Sequence, residues 1–419
     1  MFSLSRKRWA AVPCAVAVVA LVATGCSSDD SSSSDSTTVD QSVLGELNEA
    51  TGEPIPIAFA WTGASAATHV EELKSANAAV GYINDHLGGI NGRPIELVEV
   101  CEDQIQVAAA RECANKFVQS DAVVAVTGEF ANADAVASIT SPSGMPYLSV
   151  SGGGQQVLSL PNTFVLGNPL APIVGTPAAY AKENGYKKVA ILAIDAPNAV
   201  QPIQFLGPMA FGNAGVEMDL VTIPPGTADA TPQVQAALSN DPDMFHILGD
   251  VPFCTAVLKA MRTLNTDQAT MLITQCIGGE DVASQIPGGY ADMPVGVSRD
   301  LSPTQNEYQI FAATLDKYNG QGAQTAGSPW VGLVSLQRAL NGMEGEINRE
   351  TIATRLATMP EPQLVPLAAG LTFQCGTKPI PVTPNVCTKD GLIGVAQEDG
   401  TVVDIKPIDV SGLFTRKAS

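Results

Sequence analysis

Basic charge is scarce in this chain: 22 lysines and arginines stand against 42 aspartates and glutamates, a net charge of −20. A nucleic-acid backbone is gripped by clustered Lys and Arg, so this balance excludes nucleic acid as a partner, and with it an electrostatic hold on an anionic membrane. Histidine is scarcer still. His69, His86 and His246 are scattered, with no HExxH and no CxxC near them, and no metal site is read. Catalytic fingerprints are missing in the same way. No GxSxG and no paired-histidine motif offers an activated nucleophile. No GxxxxGK[ST] offers a phosphate loop. "GGGQQV" at 152–157 lacks the last glycine of a dinucleotide fingerprint and follows a fourth strand, not a first. Neither catalysis nor a cofactor is expected.

Long apolar runs are confined to the N-terminus. Arg6, Lys7 and Arg8 precede an apolar stretch, Trp9 to Val22, that is short for a membrane span. It ends in "LVATGC", and the pattern resembles a bacterial lipoprotein signal peptide over residues 1–25. The resemblance implies lipidation of Cys26 and attachment to the outer face of the cell membrane; ordinary secretory cleavage nearby is the alternative. Removing the signal leaves 19 basic against 42 acidic residues, a balance of −23. Residues 26–53 open with "SSDDSSSSDSTTVDQS", polar and acidic with nothing apolar before Val39, and read as a disordered tether.

What is present fits that exported address. Beyond Cys14 and Cys26 there are six cysteines, in three local couples: Cys101/Cys113, Cys254/Cys276 and Cys375/Cys387. An even count in an exported chain favours disulfides over metal. Six cysteines admit fifteen pairings, so nearest-neighbour bridging is an expectation only.

From residue 54 onward, strand-like apolar runs alternate with helical periods. "PIAFAW" leads to a helix from about His69, with Leu73, Ala76, Val80, Ile83 and Leu87 at three-four spacing. "PIELVEV", a second helix carrying Val107, Ala110, Ala114 and Phe117, "AVVAVTG", a helix from Asn132 and "PYLSVS" follow. Three glycines, Gly152 to Gly154, then stand before a helix-like "QQVLSL". The alternation restarts with helices near 172–184, 201–213, 232–239 and 254–264 between further strands. "MPVGVS" reads as a crossing segment, helices near 304–318, 329–342 and 349–359 come next, and short strands close the chain. Such alternation implies parallel sheets covered on both faces, here as two doubly wound lobes with ligand at the carboxyl ends of the strands.

The stretch from "WTGASAATHV" through "YINDHLGGINGRPIELVEV", with "CANKFVQSDAVVAVTG" and "GMPYLSVS", resembles type I periplasmic solute-binding proteins of the leucine/isoleucine/valine-binding branch. The resemblance spans nearly the whole chain from residue 54. It implies an α/β fold of two Rossmann-like lobes joined by three crossovers, near 163–170, 293–301 and 364–371. The first lobe would comprise 54–166 plus 300–365, the second 167–299 plus 366–415. It further implies a monomer that closes on a small amino-acid-like solute and delivers it to the permease of an ABC importer. A sensing receptor of the same fold, or a binder of an amide or small organic acid, is the alternative.

Trp61 and Thr62, at the end of the first strand, are candidates by position, and the family pattern, carried over position by position, marks Asn132 where relatives place a carboxylate-binding serine. It marks Ser151, Gly152 and Gly153 at an Ala-Thr step, so the threonine hydroxyl is lost. In the second lobe it marks Asp250, with Gln275 to Glu280 in the stretch that holds the acid for an amino group. Asn132 can donate to a carboxylate or cap its helix, and the glycine amides at a helix start favour an anionic oxygen. Asp250 or Glu280 suits an amine, and Trp61 can roof an apolar solute.

Overall fold

A computed structural model describes residues 39–63, 71–128, 130 and 132–415. Cys26, His69 and the beginning of the 26–53 stretch lie outside them. Apolar runs form the strands, buried on both faces where the sheet is covered on both sides. The first series is β1 (Ile55–Trp61), α1 (Glu72–Asp85), β2 (Ile95–Glu102), α2 (Val107–Gln119), β3 (Val124–Thr127), α3 (Ala133–Thr140), β4 (Tyr147–Ser149) and β5 (Thr163–Val165). Its five strands form one parallel sheet in the order β2-β1-β3-β4-β5.

The second series is α4 (Thr176–Glu183), β6 (Lys188–Ile194), α5 (Pro197–Ala214), β7 (Glu217–Ile223), α6 (Thr231–Leu238), β8 (Met244–Leu248), α7 (Val251–Thr263), β9 (Ala269–Ile273), α8 (Glu280–Ala283) and β10 (Pro294–Val297). The chain then lays α9 (Asn306–Lys317), α10 (Gly327–Leu340) and α11 (Arg349–Ala357) down, makes the small pair β11 (Gln363–Leu364) and β12 (Thr372–Phe373), and finishes with β13 (Asp390–Ala396) and β14 (Val402–Asp409). The second sheet runs β14-β13-β10-β9-β8-β6-β7, parallel from β7 to β10 and antiparallel through β13 and β14.

The late helices return to the first sheet. In α10 nearly every residue is buried, and Trp330 meets Tyr82 of α1 and Phe311 of α9 with ring centroids 5.0 and 5.6 Å apart. A side chain at Gly332 would crowd Val126 and Val150, so this helix lies close over β3 and the end of β4. The chain therefore passes between the sheets three times: after β5, after β10, and between α11 and β13. The fold is two Rossmann-like α/β lobes.

The nearest-neighbour cysteines are bridged: Cys101–Cys113, Cys254–Cys276 and Cys375–Cys387. The first pins β2 to α2. The second joins the opening turn of α7 to the turn after β9.

Four sequence expectations need correcting. Residues 39–53 are not a free tether. Gln41–Leu44 form a short 3-10 turn capped by Asp40, Leu44 is buried, and the Gln41 side chain donates to Asp316 of α9 at 2.8 Å. Two apolar neighbours, Val43 and Leu44, are enough to dock the segment. Second, residues 155–159 are turns rather than a helix. Third, "MPVGVS" contributes β10, an interior strand of the second sheet, so the crossing begins only at Ser298. Fourth, the tail expected in the second lobe from residue 366 lies in part along the first. Val386 bridges to Val165, and the Asn385 amide donates to the carbonyls of Val157 and Leu160 at 2.9 and 2.8 Å. The Cys375–Cys387 loop thus covers the open edge of β5, satisfying backbone groups that an edge strand leaves unpaired.

Candidate functional site

Parallel strands deliver their carboxyl ends to one level. In the first sheet Ala60 lies opposite Thr127, Thr127 opposite Ser149, and Ser149 opposite Val165. Trp61, Gly128, Val150 and Leu166 are the next residues out. Beneath this rim, Thr127 Oγ1 meets the buried Tyr147 hydroxyl at 2.8 Å, and burial pushes the Tyr147 phenol well above its ordinary pKa. The layer under the rim is neutral and hydrogen-bonded. In the second sheet, Asp195, Asp250, Gln275 and Ser298 stand just past the ends of β6, β8, β9 and β10.

The sequence-marked residues separate at this level of detail. Trp61 is half-buried and stacks on Phe59, centroids 6.4 Å apart and planes at 7°. Thr62 is buried, and its hydroxyl has no hydrogen-bond partner among the described residues. Asn132 precedes α3 without capping it; its amide donates to Asp103 Oδ2 at 2.7 Å. Asp103 is fully buried and also accepts the Ile105 N–H at 3.0 Å, so the Asn132 donor is committed inside the protein. Asp250 is exposed and caps α7, accepting the Phe253 N–H at 3.0 Å. Gln275 and Glu280 are exposed, one in the turn Thr274–Cys276 and the other opening α8.

The three glycines have a structural partner that the sequence reading missed. Asp134, in the first turn of α3, accepts the Val157 N–H at 2.8 Å. A Cβ on Gly154 would stand 2.2 Å from its carboxyl carbon, and one on Gly152 would crowd Val157 and Ala133. The anion at this loop is therefore the protein's own. An acidic residue in a helix's first turn was the available signal. Gly153 alone is exposed and without close neighbours.

Two cavities border these rims. One, of about 70 Å³, lies where the three crossovers meet and is lined by Val150, Ser151, Asn168, Val297, Arg299, Val365, Leu371 and Asp390, among others. Ser151 is the one sequence-marked residue in it. The other is a more open groove of about 600 Å³ beside α7, where Asp250 stands with Thr227, Lys259 and Gln285. Trp61, Thr62, Asn132, Gly152, Gly153 and Gln275 line neither. Arg299, Asn168 and Asp390 carried no family motif, and only the crossovers' convergence reveals them. No cluster of metal-ligating side chains exists among the described residues.

The sequence profile of the periplasmic binding proteins matches residues 54–378. The chain belongs to the periplasmic binding protein family. Its members bind solutes and are not enzymes. Among solved structures it is similar to an ABC transporter substrate-binding protein from Sphaerobacter thermophilus, with a TM-score of 0.68 and 20% identity over 86% of this chain and 100% of that one. The branched-chain amino acid transporter substrate-binding protein LivJ from Streptococcus pneumoniae, in complex with isoleucine, gives a TM-score of 0.61 and 19% identity over 85% and 100%. A solute-binding protein of an ABC transporter from R. palustris, in complex with 4-hydroxybenzoate, gives 0.62 and 18% over 85% and 96%. At these identities the likeness is one of fold. No curated protein matches the chain.

Proposed function

We propose that this periplasmic binding protein captures a small amino-acid-like solute between its two lobes and presents it to the permease of an ABC importer. The observation that carries the reading is the pair of mostly parallel sheets whose strand ends and crossovers border one small, largely apolar cavity with a few polar groups, the usual make-up of a solute pocket. Relatives of this fold hold isoleucine in one case and 4-hydroxybenzoate in another, so the fold accommodates both amino acids and small organic acids. The departures at Asn132, Gly152 and Gly153 from the family's amino-acid pattern argue against simple transfer of the branched-chain substrate. Thermal unfolding against a library of amino acids, amides and organic acids tests the proposal. A true solute at a hundredfold over its Kd adds about 2.7 kcal/mol of stability, whereas silence across the whole library sinks it.

Attachment through a lipid on Cys26 belongs to the same reading. Labelling with radioactive palmitate should mark the wild-type chain and leave Cys26→Ala unlabelled and released into the medium. Equal membrane retention of both would remove the anchor from the proposal.

A further inference from the structure

Two residues at the rim of the first lobe hold a backbone conformation that L-residues avoid. Gln104 and Ile105, in the turn from β2 to α2, have φ of +48° and +63°. That left-handed region is least tolerable for a β-branched side chain. Burial does not offset the strain, because Ile105 and its neighbour Val107 are 47% and 51% exposed. The turn is nevertheless fastened from several sides. The Cys101–Cys113 disulfide ties β2 to α2 across it. Gln104 N–H donates to the Thr62 carbonyl at 2.9 Å, Ile105 N–H to Asp103 Oδ1 at 3.0 Å, and Gln106 N–H to the Asp103 carbonyl at 2.7 Å. Strain that the surroundings hold in place, rather than relax, is typical of functional positions. From 104 to 110 no residue is ionisable, so an uncharged, apolar knob stands on this rim.

Its place in the fold gives the knob a counterpart. The crossovers connect the β5 edge of one sheet to the β10–β13 side of the other, so the opposite edges, β2 and β7, lie farthest from them, at the mouth between the lobes. The open groove of about 600 Å³ belongs to that side of the second lobe. Ala228, from the turn after β7, lines it with Val251 and Pro252 of α7 and Val282 of α8, and Asp250 and Lys259 supply one charge of each sign. No residue of the knob lines the groove in this structure.

We propose that Ile105 and Val107 seat in the groove beside α7 when the lobes close, forming a clasp at the mouth between them. This rests on the lobe closure that the solute-binding reading above requires. Charge favours the pairing as well as apolarity. With acidic residues outnumbering basic ones 42 to 22, a closing contact has to avoid like charges. The knob has none, and in the groove Asp250 and Lys259 offset each other. The flanking amides of Gln104 and Gln106 each carry a donor suited to the carboxylate and an acceptor suited to the ammonium. Contacts made only in the closed arrangement shift the population toward it without touching the solute. The clasp therefore sets how tightly any solute is retained, and the strained turn keeps the knob aimed at its seat.

Cross-linking in the full chain tests this. Val107→Cys with Ala228→Cys puts one thiol on the knob and one on the groove wall. Val107→Cys with Leu364→Cys, at an exposed position by the crossovers, is the control. Under copper–phenanthroline oxidation without solute, the first pair is expected to bridge within one molecule at least about tenfold faster than the second, since a bridge traps even a minor closed population. Ile105→Asn separates the knob from the turn. Asparagine accepts the left-handed backbone, so the thermal midpoint of this variant should rise, while in the Val107→Cys/Ala228→Cys background it slows bridging at least about fivefold. A residue that merely propped the turn would lose stability instead. Equal bridging in the two pairs, bridging between molecules (a second copy as the groove's occupant) or a lower midpoint in Ile105→Asn overturns the clasp. Its failure is distinct from that of the solute-binding reading. Bridging in a chain that no solute stabilises keeps the clasp and removes that reading, and stabilisation by a solute without bridging does the reverse.

Discussion

Replacing Arg349 with Met should cost about 3 kcal/mol of stability, a large loss for a partly exposed side chain. Arg349 opens α11, and its guanidinium donates to backbone carbonyls at the far end of α2: Nε to Ala122 at 2.8 Å, Nη1 to Val118 at 3.2 Å, and Nη2 to Ser120 at 2.8 Å and Phe117 at 3.4 Å. The last carbonyls of a helix have no intrahelical partner and carry its negative pole, so a cation there serves both needs. Charged hydrogen bonds contribute about 1.5–3 kcal/mol each, but four made by one group share geometry and do not add, which sets the figure. Lys presents a point charge on a flexible stem and should recover only a minor part. Urea unfolding of the two variants measures this. A loss below about 1 kcal/mol would mean that water replaces the guanidinium at little cost. The contact bears on the site because the turn it holds, 118–122, leads directly into β3, whose end forms part of the rim.

Acidification should weaken the protein between pH 6.5 and about 4 through one residue. His246 lies fully buried in β8. Neither ring nitrogen makes a hydrogen bond of good geometry, and the backbone of Met271 and Ile173 faces it too loosely to offset desolvation, so its pKa falls from 6.5 to about 4. The folded pKa is below the unfolded one. The contribution is therefore fully present above pH 6.5 and is lost as the pH falls toward 4, because the unfolded chain takes up the proton first. The integrated effect is about 3 kcal/mol. Asp390 opposes it slightly near pH 4, since burial pushes its carboxyl upward. Chemical denaturation at pH 7 and 4.5 should show a loss in wild type that is largely missing in His246→Phe. An identical pH slope in both would assign the acid sensitivity to carboxylates.

Much of the fold was legible because it rests on local periodicity. Alternating apolar runs and three-four spacings are properties of short segments, and they placed the parallel strands and covering helices without tertiary knowledge. Local pairing of Cys101 with Cys113 was legible for a related reason: Cys101 lies near the end of β2 and Cys113 on the buried face of the helix that follows, so one βα unit brings them together. The failures arose where a distant partner decides. "QQVLSL" has the composition of a helix, but the Val157 N–H turns to Asp134 and the loop ends in turns. Residues 39–53 look like linker, yet burial of Leu44 and the Gln41 contact with α9 fix them.

The site divides along the same line. Composition and pattern by themselves determined an acidic, disulfide-bearing α/β chain of alternating strands and helices, since charge balance, cysteine count and periodicity are additive over the sequence. Tertiary structure alone decided that Asn132 is spent on Asp103, that Asp250 caps its own helix, and that Arg299, Asn168 and Asp390 share one cavity. These three are separated by more than a hundred residues or by a whole passage between lobes. No local signal links them, because their chemistry comes from the meeting of three crossovers and not from any one segment.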